Sequence, residues 1–307
     1  MSEAEKFDII VIGAGPAGVS AAVYARSRGK SVLVLEQAHV GGLISGVSTV
    51  THYAAIVEGE TGATFQARLE AQLADCGADL RLEQVTGVEL AGEAKRVATD
   101  KAVYESPAVV LANGTSPRML GIPGEAELSG RGMRMNAARD AQKYAGKHVY
   151  VIGGSDGAAK EAIFLAKTAA QVTIVCVEDS LVCVDQFKSV IEASDKIDVI
   201  PAAELACVRG EDHVTGFDLV SFADGSPVAT VEDEECGIFV YAGSTPNTQL
   251  YGELETEGGY IKVDAKMQTS VPGVFAAGDI CAKQVRQVAT AVADGAIAGI
   301  NAAAYVA

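Results

Sequence analysis

The amino-acid sequence predicts an α/β protein made of two three-layer domains, one of them interrupted by the other. Three observations carry that expectation. The run DIIVIGAGPAGVSAA near the N-terminus is written a second time, at Gly153, as HVYVIGGSDGAAKEA. Each copy leads into another apolar segment, SVLVLE in the first and QVTIVCVE in the second. The composition is that of a globular α/β chain, with 49% hydrophobic residues, 6% aromatics and 33 glycines in 307 residues. That length suits two domains of ordinary size.

The first copy reads as strand, tight turn, helix, strand. Ile9 to Ile12 form an unbroken apolar run, as a parallel strand buried on both faces should. Gly13, Gly15 and Gly18 follow at G-x-G-x-x-G spacing. In such a loop the first glycine permits the turn. The second lets backbone approach a pyrophosphate, and the third lets helix and strand pack closely. The helix N-terminus offers unpaired N–H groups to phosphate. The helix stops before Gly29, and the next strand ends in Glu36, an acid able to accept hydrogen bonds from an adenosine ribose. The sequence thus predicts a Rossmann-like dinucleotide site. Later segments point the same way: VVLANGTSPR (109–118), GVFAAGDI (273–280) ending in Gly278 and Asp279, and a small-residue helix starting near Gln287.

Bulk properties exclude several function classes. A formal net charge of −16 argues against nucleic acid or an anionic membrane as a partner, because phosphates are repelled. No uninterrupted run of 18 apolar residues occurs, so no membrane span is expected. The acidic start lacks the pattern of a signal peptide. Six scattered cysteines form no C-x-x-C pair and read as free thiols of a reducing cytoplasm. Four histidines without ligand spacing predict no metal site.

The set GAGPAG, Glu36, GGL (41–43), PRMLGIPGE (117–125), STPNT (244–248), AAGDI and RQVATAVADG resembles the low-molecular-weight thioredoxin reductases over essentially the whole chain. The resemblance implies FAD, a homodimer, and a split FAD-binding domain (1–115 and 244–307). An NAD(P)-binding-like domain (116–243) would be inserted in it. Carried over by position, the FAD site would comprise Gly13, Gly15, Pro16, Ala17, Glu36, Gly42, Leu43, His52, Val85, Asn113, Gly114, Gly278, Asp279, Arg286, Gln287 and Val288. His52 stands for the family's usual Asn and Asn113 for its usual Thr, and both keep a hydrogen-bonding side chain.

Two departures bear on activity. The family's Cys-x-x-Cys-Asp aligns with Asn136, Ala137, Ala138, Arg139 and Asp140. Neither Asn nor Arg forms a thiolate or a disulfide, which excludes thioredoxin reduction through that site. Asn136, Arg139 and Asp140 become the candidate catalytic residues, with the Arg139 guanidinium expected to face the flavin. The basic cluster that holds the 2′-phosphate of NADPH aligns with residues 176–182, Cys-Val-Glu-Asp-Ser-Leu-Val. No cation remains and two carboxylates have appeared, so NADPH is unfavourable. NADH remains chemically possible through Glu178, which follows Gly153 at about the spacing of a ribose-binding acid. Against it, Ser155 replaces a loop glycine and its Cβ is expected to crowd the pyrophosphate.

Three functions stay open at this point. The first is an FAD oxidoreductase taking electrons from a non-NADPH donor, such as a ferredoxin-like protein docking on Arg131, Arg134 and Arg139, and passing them to an unknown acceptor. The others are an NADH-dependent flavin reductase or oxidase acting on a small molecule, and a non-catalytic FAD-binding sensor or assembly partner. Cys176 and Cys183 would pair only if the turn between them folds back; buried, inert thiols are the default.

Overall fold

The computed structural model describes residues 4–307. The chain divides into two compact units. The first runs up to Ser45 and then takes in Thr49–Ser116 and Thr245–Ala307; the second comprises Gly46–Ser48 and Pro117–Ser244. Three residues that the sequence reading assigned to the first domain, Gly46–Ser48, therefore cluster with the second unit.

The first unit is built on a five-stranded parallel sheet. Its order is Val274–Ala276, Ala108–Leu111, Ile9–Ile12, Val32–Glu36, Asp79–Leu82. The central strand Ile9–Ile12 is buried along its whole length, which explains its unalternating apolar sequence. One face of the sheet meets a smaller sheet of strands Val85–Glu89, Lys95–Thr99, Val103–Ser106 and Glu5–Lys6. There Ile10, Ile12, Leu33 and Leu35 pack with Leu90, Val97 and Tyr104.

Helices Pro16–Arg26 and Val288–Tyr305 belong to the same unit and cross closely. A Cβ at Gly295 would collide with the Ala17 carbonyl, and one at Gly299 with that of Ala21. Helix Val288–Tyr305 is, by length and composition alone, long and apolar enough to cross a membrane, although Asp294 interrupts its apolar run. Its glycine face is nonetheless committed to its neighbour, which is how a core helix comes by such a composition.

The second unit repeats the plan. A four-stranded parallel sheet runs Ile197–Ile200, Gln171–Val175, His148–Ile152, Gly237–Val240. On one face Val149, Val151, Val172 and Ile174 pack with Ala158, Ala162 and Leu165 of helix Asp156–Leu165. On the other, Tyr150, Ile152 and Val175 pack with Leu205, Val208 and Phe217. Those come from an antiparallel sheet of Ala203–Gly210, Val214–Ser221 and Pro227–Glu232.

Candidate functional site

In the first unit the glycine loop leaves strand Ile9–Ile12 with Gly13 at φ +100°. A Cβ there would lie 2.5 Å from the Ala112 carbonyl oxygen, so only glycine makes the turn beside Asn113. A Cβ at Gly18 would collide with the Gly13 carbonyl. Gly15 precedes helix Pro16–Arg26 in extended conformation, and Pro16 fills the first helical position. A Cβ at Gly15 would meet only the Gly41 carbonyl, at 3.9 Å. The loop is thus closed behind Gly13 and Gly18 and open in front of Gly15, a cradle suited to a pyrophosphate.

Glu36 ends its strand facing this loop. Its Oε2 accepts the Ala14 N–H at 2.9 Å and its Oε1 the Ala38 N–H at 3.0 Å. The returning segment brings Gly41 N–H onto the Ala14 carbonyl and Gly42, at φ +60°, against Gly15. Leu43 is exposed on the 3-10 turn Gly42–Gly46. His52 is exposed at φ +57° in the loop beyond. Val85 opens its strand and packs on the core.

At the other end of the sheet, Gly278 (φ +81°) turns into Asp279, whose Oδ1 is buried without a hydrogen-bond partner among the described residues. Burial pushes the Asp279 carboxyl up, Lys283 and Arg286 oppose that, and Asp294 adds to it. A buried carboxylate oxygen with no hydrogen bond, facing only the Lys283 ammonium at 3.9 Å, beside a glycine turn suits a polyhydroxylated ligand, and together with the cradle it fits FAD. Asp294, which sequence reading missed, accepts the Gly278 N–H at 3.2 Å and the Lys283 ammonium at 2.7 Å. Gln287 and Val288 open the last helix.

Two carried-over side chains are spent on the protein itself. Arg286 donates to the carbonyls of Asp279 and Cys281, with its guanidinium 3.8 Å from the Tyr260 ring centroid. Asn113 donates to the Asn247 carbonyl and accepts from the Tyr251 hydroxyl. The neighbouring Gly114, at φ +55°, offers its carbonyl to the Asn247 N–H.

In the second unit Asn136 caps the short helix Ala137–Asp140, its Oδ1 accepting the Arg139 N–H at 2.9 Å. Its Nδ2 donates to the Gly46 carbonyl at 2.9 Å. Ser48 N–H likewise donates to the buried Glu161 carboxylate, and these two bonds attach 46–48 to this unit. Asp140 is fully buried and accepts from Arg139 and Lys143 at 2.7 and 2.8 Å. Burial would raise its carboxyl, but hydrogen bonds from Arg139, Lys143 and the Asn136 N–H outweigh that and hold it far below the carboxylate range. It is an ion-pair anchor here, with no proton to give at neutral pH.

The basic patch expected at 131–139 is not free. Arg134 pairs with buried Glu125 at 2.7 Å, Arg139 is occupied by Asp140, and Arg131 donates to the Glu127 carbonyl. Charge that counts as +3 in sequence is largely cancelled or tied to backbone.

All six cysteines are free, including Cys176 and Cys183. Burial pushes the Cys236 and Cys281 thiols up to about 12, and raises Cys176, Cys183 and Cys207 as well. Protonated thiols are poor nucleophiles. No cluster able to hold a metal occurs among the described residues.

The second glycine loop keeps the frame of the first. Gly153 N–H donates to the Val175 carbonyl as Gly13 does to Leu35, both at 2.8 Å. The structural counterpart of Glu36 is therefore Cys176, with Glu178 two residues beyond it. Ser155 has φ −83° and ψ 176°, against −71° and −177° at Gly15, so serine is accommodated without altering the loop.

Comparison with known proteins places the chain. A family model described as pyridine nucleotide-disulphide oxidoreductase matches residues 7–295. A curated thioredoxin reductase of Peptoclostridium acidaminophilum is 38% identical over 98% of this chain and 97% of that protein. The crystal structure of Lactococcus lactis thioredoxin reductase in its FR conformation aligns at TM-score 0.91 with 30% identity, covering 98% of this chain and 99% of that one. A ferredoxin-flavin thioredoxin reductase from Clostridium acetobutylicum aligns at TM-score 0.54 with 29% identity, covering 98% of each.

Proposed function

Given that the chain belongs to the pyridine nucleotide-disulphide oxidoreductase family of FAD-dependent, thioredoxin reductase-like enzymes, we propose that it works without a redox-active disulfide and without NADPH. The observation that carries the first half is at positions 136 and 139. They hold a helix-capping amide and a guanidinium committed to Asp140, and no sulfur. The observation behind the second half is the run Cys176–Val182, which has no cation to neutralise a 2′-phosphate. FAD supplies two-electron chemistry when bound. Around it this chain contributes the Gly13–Gly18 loop, Glu36 at the ribose end, and Asp279 on the turn whose Gly278 N–H Asp294 accepts.

The electron donor is a carrier other than NADPH. A ferredoxin-like protein is one reading, supported by the name of the Clostridium acetobutylicum relative. Arg134 and Arg139 are already paired with carboxylates, which weakens the cationic dock such a protein would need, since surface charges already paired attract little. NADH is the second reading, supported by Glu178 in the glycine frame of the second unit. The acceptor is one that needs no dithiol relay. The resemblance further implies a homodimer, and six free cysteines suit a reducing, cytoplasmic setting.

The test is anaerobic mixing of the flavin-loaded protein with reduced ferredoxin, NADH or NADPH at equal concentration, followed by flavin absorbance. Bleaching by reduced ferredoxin or NADH, with NADPH inert, is the expected result. Rapid bleaching by NADPH coupled to thioredoxin reduction overturns the proposal. Colour that persists with all three donors also counts against it and favours a non-catalytic flavin binder.

A further inference from the structure

We propose that Glu178 makes the second unit a site for a dinucleotide with a free adenosine 2′-hydroxyl, NADH rather than NADPH. This rests on the reading of a non-NADPH donor given above and names its chemistry.

The argument is an internal comparison. Both units turn their glycine loop on the same backbone bond, from Gly13 to Leu35 and from Gly153 to Val175. In both, the next strand of the sheet receives the chain alike: Ala112 N–H donates to Ile12 O at 2.7 Å, Tyr241 N–H to Ile152 O at 2.8 Å. In both, the segment after the second strand folds back over the loop. Gly41 N–H closes on the Ala14 carbonyl at 2.8 Å, and Val182 N–H on the Gly154 carbonyl at 3.0 Å. Val184 N–H adds a bond to the Asp156 carboxylate at 2.7 Å. An abandoned site has no reason to keep every one of these closures.

A carboxylate also comes up against the residue after the first glycine in both units, although from different positions in sequence. Glu36 Oε2 binds the N–H of Ala14, the residue after the first glycine. The corresponding residue in the second unit is Gly154, and Glu178 Oε2 lies where a Cβ on Gly154 would be 2.9 Å from it. Cys176 holds the strand-end position but is buried and packs its Cβ on the same glycine. Glu178 therefore comes up beside the same glycine from two residues further on, without taking its N–H. Unlike Glu36, its Oε2 is buried with no hydrogen-bond partner among the described residues. A buried acceptor left unsatisfied is costly, and a ribose diol supplies the missing donors. A 2′-phosphate would instead bring like charge against Glu178 and Asp179, with no Lys or Arg in 176–182. Ser155 keeps the backbone conformation of Gly15, where a Cβ would meet no protein atom closer than 3.9 Å.

The experiment is calorimetric titration of the flavin-loaded protein with two redox-inert probes, ADP-ribose and its 2′-phosphorylated counterpart. Neither depends on electron transfer, so failure here is separable from failure of the donor assignment. ADP-ribose is expected to bind at least about tenfold tighter than the 2′-phosphate. Glu178→Gln, isosteric and harmless to the fold, should weaken ADP-ribose by about tenfold and erase most of the discrimination. Glu178→Arg should invert the preference. No saturation by either probe in the millimolar range overturns the proposal. Equal or tighter binding of the 2′-phosphate by the unmutated protein does so too, as does Glu178→Gln with unchanged affinities.

Discussion

Asp279 and Asp294 show how single carboxylates divide labour at the flavin end of the first unit. Asp279 keeps an oxygen free of hydrogen bonds, with only a long ion pair to Lys283, while Asp294 spends one of its own on the Gly278 N–H and the Lys283 ammonium. Asp294→Ala removes both bonds and frees the turn that aims Asp279. Leaving the Gly278 N–H unpaired costs about 1–3 kcal/mol, so flavin affinity should fall by one to two orders of magnitude, read by flavin fluorescence on dilution. Glu36→Ala should act likewise, because the N–H groups of Ala14 and Ala38 both lose their acceptor. Asp140 makes a pH prediction. Its folded carboxyl lies below the unfolded value near 3.9. The stabilisation is therefore complete at neutral pH and is lost as pH falls through the unfolded and then the folded value. Asp140→Asn should be less stable than the parent at pH 7 in urea melts, and the gap should close below about pH 4. A gap that widens on acidification would contradict the ion-pair role.

At the scale of elements, the contact between helices Pro16–Arg26 and Val288–Tyr305 sets how closely the last segment approaches the glycine loop. Gly295 and Gly299 bring that helix onto the carbonyls of Ala17 and Ala21. Gly295→Ala cannot be absorbed by a flexible side chain, since the obstacle is backbone. Overpacking of this kind costs about 1–3 kcal/mol. Both Tm and flavin retention should drop together, because Ala17 lies in the loop's own helix and its Cβ would be 2.8 Å from a Cβ on Gly278. Gly157→Ala, in helix Asp156–Leu165 with open space around it, is the matched control and should leave both unchanged or slightly raise stability.

For the whole molecule, the proposed loss of both electron routes matters more than the loss of either alone. Asn136→Cys with Arg139→Cys would restore two sulfurs at the family's positions, yet NADPH-driven thioredoxin reduction should stay absent because residues 176–182 still lack cations. Strong NADPH activity in that variant would refute the account of the second glycine loop. The net charge of −16 gives a further expectation: reduction by an acidic carrier should speed up with added salt, as like-charge repulsion is screened.

Much of this was legible in the linear chain. The first dinucleotide fold follows from G-x-G-x-x-G after an apolar strand, and the second from its imperfect repeat at Gly153. The missing sulfurs at 136 and 139 and the missing cations at 176–182 are statements about which atoms exist, and no fold can supply them. Only the tertiary structure decided what those residues touch. Arg134 and Arg139 read as free charge until Glu125 and Asp140 were found beneath them. Counting residues made Glu178 the counterpart of Glu36, whereas backbone register gives that place to Cys176. The attachment of 46–48 to Asn136 and Glu161, and the role of Asp294, join residues far apart in sequence. Composition and periodicity encode which face of an element is buried; they do not encode which distant partner arrives there.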